Sequence, residues 1–167
     1  MHISAMEEYG LRCALQLARH HGDGPMAASK IAEKEGISLE YVSKLMHLFR
    51  KAGLVQAVRG VQGGFVLDRE PAQITLREVV QTVSAKKDSN ASFCSQYSGQ
   101  QDSCANLGEC TIRPVWTTLY NYFDEILKEL TLADLLKREV TLKTQVTALA
   151  EAKAKQFKEM FHEQPML

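Results

Sequence analysis

The chain has 167 residues, with 20 Lys and Arg against 20 Asp and Glu, 45% hydrophobic residues and 24% charged ones. That length suits one domain with an appendage and a real core, and the zero net charge weakens any argument for nucleic-acid binding by bulk charge while leaving room for a basic patch. No apolar run approaches the roughly 18–20 residues of a membrane helix, and the opening Met-His-Ile-Ser-Ala-Met-Glu-Glu lacks the basic start and apolar stretch of a secretory signal, so a cytoplasmic protein with no membrane partner is expected.

Residues 6–21 read as a helix, with Leu11, Ala14, Leu15 and Ala18 at i, i+3, i+4, i+7 spacing; Gly22-Asp23-Gly24-Pro25 stops it. A short helix over Ala27–Glu35 follows, anchored by Ile31 and ended by Gly36. Ser38 has the chemistry of an N-cap for a third helix reaching about Ala52. Val42, Leu45 and Phe49 face inward there, and Glu40, Tyr41, Ser43, Lys44, His47, Arg50 and Lys51 outward. Leu54–Arg59 and Phe65–Leu67 read as the strands of a hairpin about Gly60-Val61-Gln62-Gly63-Gly64. Thr75-Leu76-Arg77-Glu78 is a capping box opening an amphipathic helix to about Ser84, with Leu76, Val79, Val80 and Val83 on one side.

Residues 85–109 turn polar and read as a loop holding Cys94 and Cys104. A long helix starts near Thr111, with Pro114 in its first turn and an apolar stripe of Trp116, Leu119, Tyr120, Phe123, Leu127 and Leu130. Thr131-x-x-Asp134 points to a further capped helix bearing Leu132, Leu135 and Leu136. The tail over 141–167 is charged and Ala-rich, with Leu142, Val146, Leu149, Phe157 and Met160 spaced helically.

Helix, helix, glycine turn, helix and hairpin in that order form a winged helix–turn–helix pattern, whose second motif helix enters the major groove. Between Tyr41 and Leu67 stand Lys44, Arg50, Lys51 and Arg59 and no acidic residue. Phosphate binding needs only such a stripe. Lys44, Arg50 and Lys51 are placed to neutralise phosphates. Ser38, Glu40, Tyr41, Ser43 and His47 stand where base edges would be met, and Arg59 beside Gly60 suits a narrow minor groove. The competing reading is a set of solvated cations on a protein-interaction module, a role winged helices also play.

Cys94, Cys104 and Cys110 lie within 17 residues as Cys-x9-Cys-x5-Cys. Thiolates are soft ligands suited to iron–sulfur clusters or zinc, but the spacing lacks the short Cys-x2-Cys pairs of zinc fingers and ferredoxins. From the residues alone, cluster ligands, redox thiols and a structural zinc site all stay open. Cys13, among Leu11, Ala14 and Leu17, reads as a core thiol. His20, His21, His47 and His162 are scattered, and no constellation of an enzyme is legible.

The runs Ile31-Ala-Glu-Lys-Glu-Gly36-Ile-Ser-Leu-Glu-Tyr41-Val-Ser-Lys-Leu45, Arg50-Lys-Ala-Gly-Leu-Val55 and Val58-Arg-Gly-Val-Gln-Gly-Gly-Phe65 closely resemble the IscR/NsrR family of bacterial transcription regulators, the Rrf-two family. The likeness continues through Thr75–Val83, the three cysteines and Trp116–Leu136, covering about residues 1–138. It implies a mainly α fold: a winged helix–turn–helix DNA-binding domain with a small β-hairpin wing (1–84), a cysteine-bearing cluster loop (85–110), a dimerisation helix with a following helix (111–140) and a C-terminal helical tail (141–167). It also implies a homodimer on a double-stranded, two-fold DNA operator, repressing transcription under control of iron, nitric oxide or redox state.

The same resemblance makes Cys94, Cys104 and Cys110 ligands of an iron–sulfur cluster, of two-iron or four-iron type. The first cysteine interval is longer than in typical members, and Arg113 stands where IscR-like relatives carry a histidine. A guanidinium has no lone pair to offer a metal. Glu8, just before Tyr9, matches the acidic residue that NsrR-like sensors donate from the partner subunit, and is the fourth ligand the resemblance supplies. Glu7, Asp102, water or a small thiol compete with it, and a first-turn carboxylate favouring its own helix is the other reading of Glu8. Ser43 replaces a glutamate that some IscR-like members use in operator choice. The alternative function is a cluster-free DNA-binding regulator that senses oxidants through the same three thiols.

Overall fold

Ser4 opens the first helix, α1 (Ala5–Arg19), with a reciprocal capping box: its hydroxyl accepts from the Glu7 amide and the Glu7 carboxylate accepts from its own. The structure is a computed structural model describing residues 3–84, 100, 102–106 and 109–162. After α1 come α2 (Ala28–Glu35) and α3 (Leu39–Lys51). Gly36 takes the left-handed conformation at φ 65° that ends α2, and Ser38 caps α3 by accepting from the Tyr41 amide at 3.2 Å. Strands β1 (Val55–Val58) and β2 (Gly64–Leu67) pair antiparallel, Val55 opposite Leu67 and Val58 opposite Gly64. Strand β1 is shorter than the predicted Leu54–Arg59, since the Leu54 amide donates to Phe49 O of α3 at 2.9 Å, while β2 begins one residue earlier than predicted, at Gly64.

On its other edge β2 bridges Met26, with Phe65 and Met26 exchanging both backbone bonds at 2.9 and 3.0 Å. The wing is therefore a three-segment patch rather than a free ribbon. A 3-10 turn (Pro71–Gln73) leads to α4 (Leu76–Val83), opened by the Thr75–Glu78 box as the sequence predicts. The fully buried residues are Cys13, Ile31, Val42, Leu45, Met46, Phe49, Ile74, Val79 and Leu132. The expected face of α1 is corrected. Its buried side is Gly10, Cys13, Ala14, Gln16, Leu17 and Ala18, whereas Leu11 and Leu15 are only half-buried. The reason is Gly10, against which the Val83 side chain of α4 packs so closely that an added Cβ would lie 3.1 Å away.

The chain then forms α5 (Ile112–Glu129), a 3-10 turn (Asp134–Leu136) and α6 (Glu139–His162). Two compact units result, Met1–Ala85 with Leu127–Gln145, and Lys86–Ile126 with Val146–Leu167. In the first, the return segment pairs with the entry to α4: Leu76 N donates to Leu130 O at 2.8 Å and Leu132 N to Ile74 O at 2.9 Å, with Thr75 bridging Thr131. The helix predicted at Thr131-x-x-Asp134 is only a single 3-10 turn. Its box forms, but Asp134 is drawn into bonds with Lys137 (2.7 Å) and Gln145 (3.0 Å), and the helix restarts at Glu139.

In the second unit, Tyr122 donates to the Ala150 carbonyl at 2.7 Å and stacks edge-on against Phe157, and Lys153 pairs with Glu125 at 3.3 Å. The tail helix thus packs on α5. No residue of α5 is itself buried. Ile112, Val115, Trp116 and Leu119 recur at i, i+3, i+4, i+7 and are 63, 55, 43 and 50% exposed. No helix of the described residues is long and apolar enough to cross a membrane.

Candidate nucleic-acid interface and thiol site

Helix α3 turns Val42, Leu45, Met46 and Phe49 into the core, and this rotation decides what its other face shows. Glu40, Ser43, Lys44, His47, Arg50 and Lys51 are all exposed, as the sequence predicts, and the cap residue Ser38 is exposed with them. Met46 is the inward residue the prediction omits. Tyr41 departs from expectation. It is half-buried, its ring edge-to-face with Tyr9 of α1 at 5.9 Å and 83°.

Arg59 and Gly60 are exposed at the hairpin turn, which is closed by Gly63 N donating to Gly60 O at 2.9 Å. Lys44, Arg50, Lys51 and Arg59 form no ion pair with a carboxylate among the described residues. Elsewhere in the same unit, Arg12, Arg69 and Lys137 are each spent on Glu35, Glu78 and Asp134. Uncompensated cations on one helix face and the adjoining hairpin are what a polyanion requires.

Of the three clustered cysteines, Cys94 lies outside the described residues. Cys104 and Cys110 are free, half-buried thiols, and Cys110 stands two residues before α5. Arg113, in the first turn of that helix, donates to the carbonyl of Asn106, between the two thiols, at 3.4 Å. Among the described residues no group of three metal-binding side chains comes together. The two thiols are chemically suited to soft metal, being free and partly accessible.

Glu8 is exposed on α1, whereas both carboxylate oxygens of Glu7 are engaged, by the Ser4 amide at 2.8 Å and the Ser84 hydroxyl at 2.6 Å. Asp102 is exposed. Burial, reinforced by the charge of Glu35, pushes the Cys13 thiol up to about 12, so it is a core side chain and not a nucleophile. Sequence reasoning missed the cluster beneath Tyr41, formed by Tyr9, Arg12, Gln16 and Glu35. Its only trace in the sequence is the spacing of three polar side chains along one line of α1.

A family model described as Rrf2, iron-dependent transcriptional regulator, matches residues 3–138. The HTH-type transcriptional regulator IscR of Sodalis glossinidius (strain morsitans) is 33% identical over 142 residues, 85% of this chain and 82% of its own. Among solved structures, the chain is similar to T. potens IscR, with TM-score 0.65 and 32% identity over 81% of this chain and 86% of that one. It is similar also to CymR (YrzC), the global cysteine regulator of B. subtilis, with TM-score 0.64 and 31% identity over 81% and 95%. Helix α6 lies beyond the family match.

Proposed function

The chain belongs to the Rrf2 family of transcriptional regulators, a DNA-binding regulator and not an enzyme, and from that premise we propose that it is a homodimeric, cytoplasmic repressor whose operator affinity is set by an iron–sulfur cluster. The observation that carries the DNA-facing half is the uncompensated cationic face of α3 and the wing. Ser38, Glu40, Tyr41, Ser43 and His47 address base edges, Lys44, Arg50 and Lys51 bind phosphates, and Arg59 with Gly60 approaches the minor groove. The apolar line Ile112, Val115, Trp116 and Leu119 supports pairing with a second copy, since a two-fold operator calls for two recognition helices.

For the cluster, Cys94, Cys104 and Cys110 would be the thiolate ligands, with Glu8 from the second subunit as the fourth. The family description and the IscR relatives support this assignment, as do the two free thiols before α5. When bound, the cluster would supply chemistry that iron supply, nitric oxide or oxidants can alter. The chain's own part is to hold Cys110 ahead of α5 and to tie Asn106, which lies between Cys104 and Cys110, to that helix through Arg113. Engagement of Glu7 elsewhere favours Glu8 over its neighbour. The second reading, a cluster-free thiol sensor, is favoured by the similarity to CymR.

Anaerobic purification with iron, sulfide and absorption measurements, followed by DNA binding at fixed salt with and without cluster, tests the proposal. Coloured protein holding iron and sulfide, with a difference in operator affinity between the two forms, is expected. Protein that stays colourless after reconstitution but changes affinity on thiol oxidation moves the function to the second reading.

A further inference from the structure

One face of α1 grips the helix–turn–helix motif on both sides of its turn. Tyr9, Arg12 and Gln16 stand at i, i+3 and i+7, in one line along the helix. Two of them reach the end of α2. Arg12 Nε donates to Glu35 Oε2 at 2.6 Å and its Nη2 to the Glu35 carbonyl at 3.4 Å, while Gln16 Nε2 donates to Glu35 Oε1 at 2.5 Å. The Glu35 side chain is only 6% exposed, so these are charge-assisted bonds largely shielded from water.

The third residue reaches past the turn to the first turn of α3. The Tyr9 ring meets Tyr41 edge-to-face at 5.9 Å, and its own face carries the Arg12 guanidinium 5.2 Å from the centroid. Only Gly36 and Ile37 separate Glu35 from the cap residue Ser38. Both ends of this short turn are therefore held by α1, and the attitude of α3 relative to α2 is fixed from outside the turn. Tyr41 lies at the N-terminal end of the recognition helix, the end that addresses base edges.

We infer that Tyr9 is a positioning residue for sequence reading. Its ring edge on Tyr41 sets the attitude of the first turn of α3 over the bases, and the Arg12–Glu35 pair braces the ring from behind. The inference rests on the DNA-binding reading and deepens it. Loss of the ring removes discrimination between sequences rather than charge-driven affinity, because Lys44, Arg50, Lys51 and Arg59 are untouched.

The test uses the full chain with Tyr9→Ala, Tyr9→Phe, Tyr41→Ala and the Tyr9→Ala/Tyr41→Ala double variant. The probes are a duplex that wild-type protein enriches from a random-sequence pool and a scrambled duplex of equal composition, each across a salt series. Tyr9→Ala should lose about three- to tenfold on the enriched duplex, with unchanged affinity and salt slope on the scrambled one. Tyr9→Phe should behave as wild type, and the double variant should be no weaker than Tyr41→Ala, as coupled residues require. Tyr9→Leu, with thermal unfolding of every variant, covers the case in which Tyr9→Ala fails to fold. Equal loss on both duplexes, no loss on either, or failure of Tyr9→Phe to restore binding overturns the inference. A wild-type chain that enriches no sequence overturns the DNA-binding reading itself, and the two failures are thereby told apart.

Discussion

At the scale of single residues, the wing depends on the absence of a side chain at Gly64. A Cβ there would lie 2.4 Å from the Met26 carbonyl carbon and oxygen, backbone that cannot step aside without breaking the Met26–Phe65 bridge. Gly64→Ala is expected to destabilise the fold by about 1–3 kcal/mol. It should also weaken DNA binding through displacement of Arg59; an unchanged melting temperature would contradict the close approach. The residues legible in the sequence were those whose role is local: Ser38 and Thr75 as caps, Gly36 as a left-handed stop. The pairing of Tyr9 with Tyr41, and the turn of α1 toward Gly10, depend on partners more than thirty residues away. Hydrophobic spacing registers large side chains such as Leu11 and Leu15 and passes over a glycine that lets two helices touch.

At the scale of elements, the turn around Asp134 shows a local signal overruled by distant partners. Thr131 and Asp134 make the expected box, and Lys137 and Gln145 then converge on the same carboxylate. Burial alone would raise the Asp134 pKa, but the bonds from Lys137, Gln145 and Thr131 outweigh it and hold the group well below the usual carboxylate range. Because the folded-state value is the lower one, this contribution is complete above an ordinary carboxylate pKa of about 4 and is lost as pH falls below it. Asp134→Asn should therefore cost about 1–3 kcal/mol near neutral pH and flatten the loss of stability on acidification. Urea midpoints at about pH 7 and about pH 3 measure both effects; parallel pH curves for variant and wild type would refute the assignment. Gln145 lies in α6, beyond the family match, so this carboxylate is also where the additional helix is fastened.

At the scale of the molecule, the balanced charge is an average over one uncompensated face and a body in which several cations meet acids. The fold class was readable because the order of elements and the glycine turn are written in short-range pattern. Partnership was only half readable: the stripe on α5 declares an apolar face, but one chain cannot say what covers it. Trp116 and Leu119 of that stripe are exposed together with Ile112 and Val115, while Leu130, just past the helix, is buried. If a second copy is the cover, Trp116→Glu should yield a monomer by light scattering, with folded helix content by circular dichroism and much weaker operator binding. A dimer that survives the substitution places the interface elsewhere. The cysteines were legible only as a spacing, Cys-x9-Cys-x5-Cys, because a spacing along one chain registers groups near in sequence and not those that approach from elsewhere.

The backbone pairing of Leu76 with Leu130 and of Ile74 with Leu132 has a topological consequence. The chain leaves at the end of α4 and comes back to its beginning, so everything from Ala85 to Glu129 is an insertion whose two stems are one eight-residue helix apart, about 12 Å. Closing such an insertion costs entropy that grows only with the logarithm of its length, about 0.6 kcal/mol for each doubling. A few extra residues between Cys94 and Cys104 are then nearly neutral to the body that carries α3. Lengthening the segment between α4 and α5 should therefore leave the melting temperature of the body that carries α3 nearly unchanged.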